Sequence, residues 1–422
     1  MRVATSSSTG ARCAVSSRVS RRDGAARAIG GSVASARRPR GGAADASVSL
    51  RSSAAALFAP RARALATHRR DRGPRGVSAR SAGRPGAGSL ARASAGASSA
   101  SSDDASPSSS GSGKPLRVAI SGASGFVGTR LVAKLLAGGH DVVVLTRDVQ
   151  KARLALRDSF SRGTIAFVDP SNWAAAVPGC DGVVNLAGEP ISTRWSPAIK
   201  AEIMASRLKA TKRIADAIAA CPESSRPKTL VNASAVGFYG ASASDETFDE
   251  TAPAGGDYLS KVCQAWEKTA EGLERDAPGV RVVLLRLGIV LDRDGGALGK
   301  MLPTFQIFAG GPMGDGAQWF SWIHREDAVG IVVEALTNES MRGPVNVTAP
   351  NPVRMGEMCA ALGRTLGRPS WLPVPDFAVT ALLGEGATVV LQGQKVKPNA
   401  VLAAGYKFKY ERIDDALQNI LR

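Results

Sequence analysis

Histidine, cysteine and aromatic residues are scarce in this 422-residue chain, which has three histidines, five cysteines and 5% aromatics. The cysteines stand at 13, 180, 221, 263 and 359 without a Cys-x-x-Cys pair, which argues against a disulfide framework and against a metal site of the zinc type. No apolar run approaches the roughly 18 residues of a membrane-spanning helix. Lysine is absent from residues 1–113, where 19 arginines face only five acids. That segment, rich in Ala, Ser, Arg and Gly and poor in aromatics, cannot bury a core. Arg-rich, Ser-rich and acid-poor is the composition of an organelle transit peptide. The alternative is a basic tail retained in the mature chain. Its length and its Ser and Ala content favour the chloroplast stroma over the mitochondrion, with 99–113 as a linker near the cleavage region. The formal charge of +18 would suit a nucleic-acid partner, but its position rules against one. Residues 114–422 hold 35 basic and 31 acidic side chains, which is nearly balanced.

Glycine, by contrast, is present in a telling register. The stretch Val118-Ala-Ile-Ser-Gly-Ala-Ser-Gly-Phe-Val-Gly128 follows an apolar run that reads as a buried strand, and it leads into a helix-like pattern over 126–136. Gly122 permits the strand-to-helix turn, Gly125 lets the backbone approach a pyrophosphate, and Gly128 lets the helix pack closely on the strand. With Ser124, Phe126 and Val127 between them, these residues form a candidate dinucleotide loop. A second strand follows over 141–146. The position 18 residues past Gly128, where an NAD-binding unit would carry an acid, holds Thr146 and then Arg147. A hydroxyl and a guanidinium suit a 2′-phosphate, which favours NADP(H) over NAD. The bland alternative for Arg147 is an ordinary surface arginine.

Strands and helices continue to alternate, with strands at 164–168, 182–186, 229–233, 280–285 and 344–347 and long helices at 197–220 and 258–275. This predicts an α/β fold, a Rossmann-like doubly wound parallel sheet. Ala187 and Gly188 are small enough for backbone to pass close to ribose and nicotinamide. Glu202 and Arg207 lie five apart on a long helix, where position alone makes them solvated charges. The last 55 residues read as a small helical cap, closing on a strand at 405–410 and a helix. The expected division is 1–113 leader and linker, 114–340 nucleotide-binding domain and 341–422 C-terminal part.

The Gly122–Gly128 loop, the Asn185-Leu-Ala-Gly188 strand end and Trp322-Ile-His-Arg-Glu-Asp327 resemble extended short-chain dehydrogenase/reductases of the epimerase/dehydratase type. Arg194-Trp195, Ser206-Arg207, Gly310-Gly-Pro-Met-Gly314 and Leu391-Gln-Gly-Gln-Lys395 resemble its atypical "epimerase family protein" branch, which has a C-terminal domain of unassigned function. The resemblance covers about 116–420. It implies cofactor contacts at Thr146, Arg147, Leu186, Ala187, Glu202, Arg207 and Val290. It also implies a link of plastid-targeted plant relatives to chloroplast division.

Active members of the superfamily pair a tyrosine with a lysine four residues on, and add a serine or threonine; the lysine lowers the tyrosine pKa. Here Tyr258 has Val262 at i+4 and Lys261 at i+3, and sliding the register by one gives Leu259 and Cys263. Ser234 stands one residue before the expected slot, which holds Ala235. Ser234 and Tyr258 are therefore either a displaced catalytic pair or a turn-capping serine with a half-buried tyrosine, and the catalytic residues stay unassigned. His324 reads as a helix-start residue rather than a base, and Asp327 as a cap or orienting group for that helix. Three functions remain open: an NADP(H)-dependent oxidoreductase or epimerase on a small molecule, an NADP-binding regulatory or scaffolding protein, and a peripheral membrane protein using 377–391. Limited proteolysis of the full chain should leave a stable core beginning near Lys114. A reporter fused behind residues 1–113 should enter chloroplasts, and cytosolic fluorescence would refute targeting.

Overall fold

Seven runs of aliphatic residues form the strands β1 Arg117–Ser121, β2 Asp141–Leu145, β3 Ile165–Val168, β4 Gly182–Asn185, β5 Thr229–Ala235, β6 Arg281–Leu287 and β7 Gly343–Val347. They appear in a computed structural model that describes residues 114–159, 163–242 and 244–422; the expected leader at 1–113 lies outside the described residues. All neighbours are parallel, in the order β7-β6-β5-β4-β1-β2-β3. The side-chain period of two divides each strand between two cores. Val118, Ile120, Val142, Val144 and Val184 pack under the helices α1 Phe126–Ala137 and α4 Arg325–Thr337. Ala119, Val143, Leu145 and Val183 pack on the other face, under α2 Pro197–Ala219 and α3 Tyr258–Asp276. Both faces are covered, which is why the strands read as continuous apolar runs.

The chain runs outward from β1 to β3 on one side and from β4 to β7 on the other. The order reverses between β1 and β4, and the carboxyl ends of those two strands open a crevice, the expected ligand position in a doubly wound sheet. The expected α/β sheet is present. Its seventh strand lies past the expected boundary at 340, because Gly343–Val347 pairs along its length with β6.

A third core lies in the C-terminal part. Leu291, Leu298, Phe305, Phe320 and Trp322 pack with Met358, Leu362 and Leu417 from the helices α5 Met355–Leu366 and α7 Ile413–Leu421. The C-terminal part is thus built with segments from 289–322 as well as from the end of the chain. Ile289–Asp292 forms a short strand beside Trp322–His324. The 377–391 stretch forms α6 Asp376–Leu383 and two shorter turns, with Val379, Leu383 and Ala387 in a small core of their own and Phe377 exposed. Among the described residues, no helix is long and apolar enough to cross a membrane.

Two expectations are corrected here. The segment 405–410 alternates aromatic and polar residues but forms no strand. Its backbone groups find a side chain instead: the buried Asp327 carboxylate accepts the Lys409 N–H at 2.9 Å, the Tyr410 N–H at 3.0 Å and the Tyr406 hydroxyl at 3.2 Å. Asp327 therefore anchors the C-terminal tail rather than capping its own helix. His324 takes the capping role, its Nδ1 accepting the Glu326 N–H at 3.0 Å while its ring stacks on Tyr410. Asp327→Ala should leave the Lys409 and Tyr410 N–H groups without a partner, while the Tyr406 hydroxyl keeps the Asp327 carbonyl at 3.3 Å, and should cost about 2 kcal/mol or more, read from the shift of a urea midpoint. A loss under about 0.5 kcal/mol would show that the tail is held by its aromatic contacts alone.

Candidate nucleotide-binding cleft

Gly122 turns the chain out of β1 at φ +73°, and a Cβ there would sit 2.6 Å from the Leu186 carbonyl carbon and oxygen. A Cβ on Gly128 would lie 2.2 Å from the Gly122 oxygen, so the first turn of α1 packs against the loop as only glycine allows. Gly125 is the N-cap of α1 and supplies no side-chain cap. The first-turn N–H groups have no intrahelical partner by construction, and with the helix dipole they form a cradle for an anion. Gly122, Gly125, Phe126, Val127 and Gly128 all line a cavity of about 870 Å³. Ser124 lies exposed on the loop beside it. Val290 lines the cavity from the Ile289–Asp292 strand, where the Phe126 ring fits against Gly295 and Gly296.

The opposite wall is the end of β4. Asn185 is fully buried there, and its side chain ties strand ends to helix. Its oxygen accepts the Ser121 hydroxyl at 2.5 Å, and its nitrogen donates to Thr211 Oγ1 at 2.9 Å and Asn232 Oδ1 at 2.6 Å. Leu186 then lines the cavity, with Ala187 next to it half-buried. Arg207 reaches under this wall from α2. Its guanidinium donates to the carbonyls of Glu189 at 3.1 Å and Ile203 at 2.9 Å and lies over the Trp266 ring at 5.1 Å. Burial draws it below its ordinary pKa. Ile203 and Arg207 share the inner face of α2, whereas Glu202 is exposed and does not line the cavity. The reason is the helical step: one residue before Ile203 points about 100° away from that face.

Thr146 and Arg147 stand at the end of β2, outside the lining of the cavity. Arg147 is tied to its rim through Glu189, with Nη2 and Oε1 3.2 Å apart. Thr146 Oγ1 accepts the Asp148 N–H at 3.2 Å.

The catalytic slots hold other chemistry. Tyr258 lines the cavity, but its hydroxyl donates to the Lys200 carbonyl, and its ring meets Trp195 edge-on at 5.2 Å. Burial holds the phenol above its ordinary pKa, with the Lys200 and Arg207 cations offsetting part of that. The Lys200 ammonium lies over the ring at 4.8 Å. Lys261 is exposed, and the next turn of α3 presents Val262 and Cys263 to the cavity. Burial, reinforced by the Glu267 carboxylate, pushes the Cys263 thiol up to about 12, so it stays protonated near neutrality. Ser234 lines the floor and donates to Glu267 Oε1 at 2.5 Å, which is neither a turn cap nor a free catalytic hydroxyl. Trp195, Trp266 and Gln392–Gln394 also line the cavity and carried no site reading from spacing alone. The glycine in the last of these was a signal: a Cβ on Gly393 would lie 1.9 Å from the Trp319 oxygen.

Comparison with known proteins places this geometry among relatives. Residues 118–348 match the profile described as NAD dependent epimerase/dehydratase family, and 374–420 match a domain of unknown function, DUF1731. An Arabidopsis thaliana protein, "Epimerase family protein SDR39U1 homolog, chloroplastic", is 53% identical over 307 residues, covering 73% of this chain and 87% of that one. The Bacillus subtilis "Epimerase family protein YfhF" is 36% identical, covering 72% and 98%. A crystal structure of human epimerase family protein SDR39U1 (isoform2) with NADPH superposes with a TM-score of 0.64 at 35% identity, covering 72% of this chain and 99% of that one.

Gly128→Ala should cost about 1–3 kcal/mol of stability through overpacking against the Gly122 carbonyl, measured by denaturant unfolding. A neutral result would mean that the loop relaxes freely and that its glycine register is not demanded by packing.

Proposed function

Because the chain belongs to the NAD dependent epimerase/dehydratase family, we propose that its glycine-lined cleft binds NADP(H) and serves an oxidoreductase or epimerase reaction on a small molecule. The observation that carries this reading is the uncapped N-terminus of α1, packed against the Gly122 turn and opening onto the cavity. The unpartnered N–H groups at this helix start fit a pyrophosphate. The bound nicotinamide would supply or accept a hydride. The chain's own residues bind and orient it: the backbone of Gly125–Gly128 faces the pyrophosphate, while Thr146 and Arg147 hold the 2′-phosphate. Leu186, Ala187 and Val290 flank the ribose and ring, and Arg207 braces the loop at Gly188. Glu202 and Ser124 are exposed and take part only at the edge of the site. The human relative crystallised with NADPH supports the phosphorylated cofactor.

A second reading, an NADP-binding regulatory or scaffolding protein with little turnover, is favoured by one observation. The lysine slot presents Val262 and Cys263, and the Tyr258 hydroxyl is engaged by a backbone carbonyl. Nothing in the cleft supports a role in plastid division. The name of the Arabidopsis relative supports reading residues 1–113 as a chloroplast transit peptide.

Fluorescence titration tests the cofactor. Arg147→Ala should lose roughly 1–3 kcal/mol of NADPH binding and leave NADH almost unchanged, as expected for one charge-assisted contact. Equal losses for both nucleotides would sink the 2′-phosphate assignment. Tyr258→Phe separates the two readings of function. NADPH binding and any slow oxidation should persist, because the phenol is already spent on Lys200. A fall in turnover of about 10²–10⁴-fold at unchanged NADPH affinity would identify Tyr258 as a working acid.

A further inference from the structure

We propose that the half of the cleft facing the C-terminal part takes a neutral, largely apolar ligand bearing a flat ring, and not a nucleoside diphosphate. This rests on the reading of the other half as the NADP(H) site. The walls of that half are Ile191, Trp195, Leu259, Val262, Trp319 and Val389. Among the described residues three charged side chains line the cavity, and each has partners within the chain. Arg207 is spent on two carbonyls and the Trp266 ring. Asp257 accepts the N–H groups of Ser260 at 2.8 Å and Ala241 at 2.9 Å. Glu385 is paired with Lys200 at 2.7 Å.

The polar side chains at the floor are committed as well. The Gln394 amide donates to the Val236 carbonyl, and the Ser321 hydroxyl donates to the Gln394 carbonyl at 2.7 Å while accepting the Val396 N–H at 3.0 Å. The cations near this half are engaged within the chain: Arg194 donates to the Ala381 carbonyl at 2.6 Å, Lys300 donates to Ser192, Arg354 pairs with Asp245, and Arg354 and Lys395 lie over the Trp319 ring at 3.9 and 4.7 Å. A diphosphate entering here would shed its water without gaining a matched set of cations, whereas the one anion cradle belongs to the cofactor. Aromatic side chains around the space, with Trp195 and Tyr258 locked edge to face, suit a planar apolar body.

Protein loaded with saturating NADPH is titrated with the neutral fluorophore N-phenyl-1-naphthylamine, and separately with UDP-glucose by calorimetry. One saturable fluorophore site is expected. It should weaken roughly tenfold or more in Leu259→Asp and in Val389→Asp, which place a carboxylate in opposite walls. It should be unchanged in Phe377→Ser, which removes an exposed ring outside the cleft. UDP-glucose should neither bind nor displace the fluorophore. Displacement by UDP-glucose, absence of a saturable site, or loss in Phe377→Ser with retention in both cleft variants would each overturn the proposal. NADPH affinity is measured for every variant. If NADPH fails to bind wild type, the cofactor reading falls, and the fluorophore and UDP-glucose comparison on unloaded protein still decides this one.

Discussion

A carboxylate and a guanidinium meet beneath the cleft almost without water. Arg286 on β6 grips Glu267 on α3 with two bonds, 3.0 Å from Nε and 2.9 Å from Nη2, and both side chains are about 95% buried. Breaking such a pair by removing one partner costs about 3–5 kcal/mol, because the other is left charged and desolvated. The pair does not stand alone. Glu267 also takes the Ser234 hydroxyl, and Arg286 reaches Tyr239 at 3.0 Å. Tyr239 donates to Asn346 at 2.7 Å, and Asn346 donates to the Lys397 carbonyl at 2.9 Å. The ends of β5, β6 and β7, the helix α3 and the C-terminal chain are thus fastened by one chain of hydrogen bonds.

That network has a chemical consequence for the cleft. A serine that donates to a buried carboxylate is oriented downward, away from the role of binding a substrate oxygen. The thiol beside it is held protonated by the same burial and the same carboxylate. The floor is therefore rigid and electrically closed, whereas the glycine loop opposite offers backbone N–H groups to an anion. On the proposed reading, the glycine-lined half of the cleft would hold the charged cofactor and the half facing the C-terminal part would take an uncharged ligand.

Much of the fold was legible because its signals are local. Three glycines at one register are explained by clearances of 2.2 and 2.6 Å at Gly128 and Gly122, and continuous apolar strands by a sheet covered on both faces. What was not legible came from groups far apart in sequence. Asp327 looked like a helix cap because its neighbours are helical, yet its partners lie about 80 residues on. In the structure Glu250 accepts the N–H groups of Asn346 and Ala400, both at 3.0 Å, stapling β7 to the C-terminal chain. The segment at 289–322 supplies part of a core completed by residues near 358 and 417. In the site, the register of α3 was correctly read as lacking a lysine at i+4. The hydroxyl's actual partner, the Lys200 carbonyl, comes from another helix and leaves no mark in the spacing.

The ion pair between Arg147 and Glu189 raises one objection to an NADP(H) site, since the guanidinium assigned to the phosphate already has a carboxylate. Magnitudes decide between them. Arg147 is 79% exposed and Glu189 36% exposed on their side chains. A pair so placed contributes about 0–1 kcal/mol, because water and salt screen it and two long side chains are immobilised. A phosphate offers more acceptor oxygens and a larger charge, and a charge-assisted bond to it is worth roughly 1.5–3 kcal/mol. In the proposed NADP(H) site the arginine would therefore gain by changing partners, and the carboxylate would return to water at little cost. The pair holds Arg147 beside the rim, so that less side-chain freedom would remain to be lost on binding. In that proposed site Glu189 would be a placeholder for the phosphate rather than a competitor that blocks it.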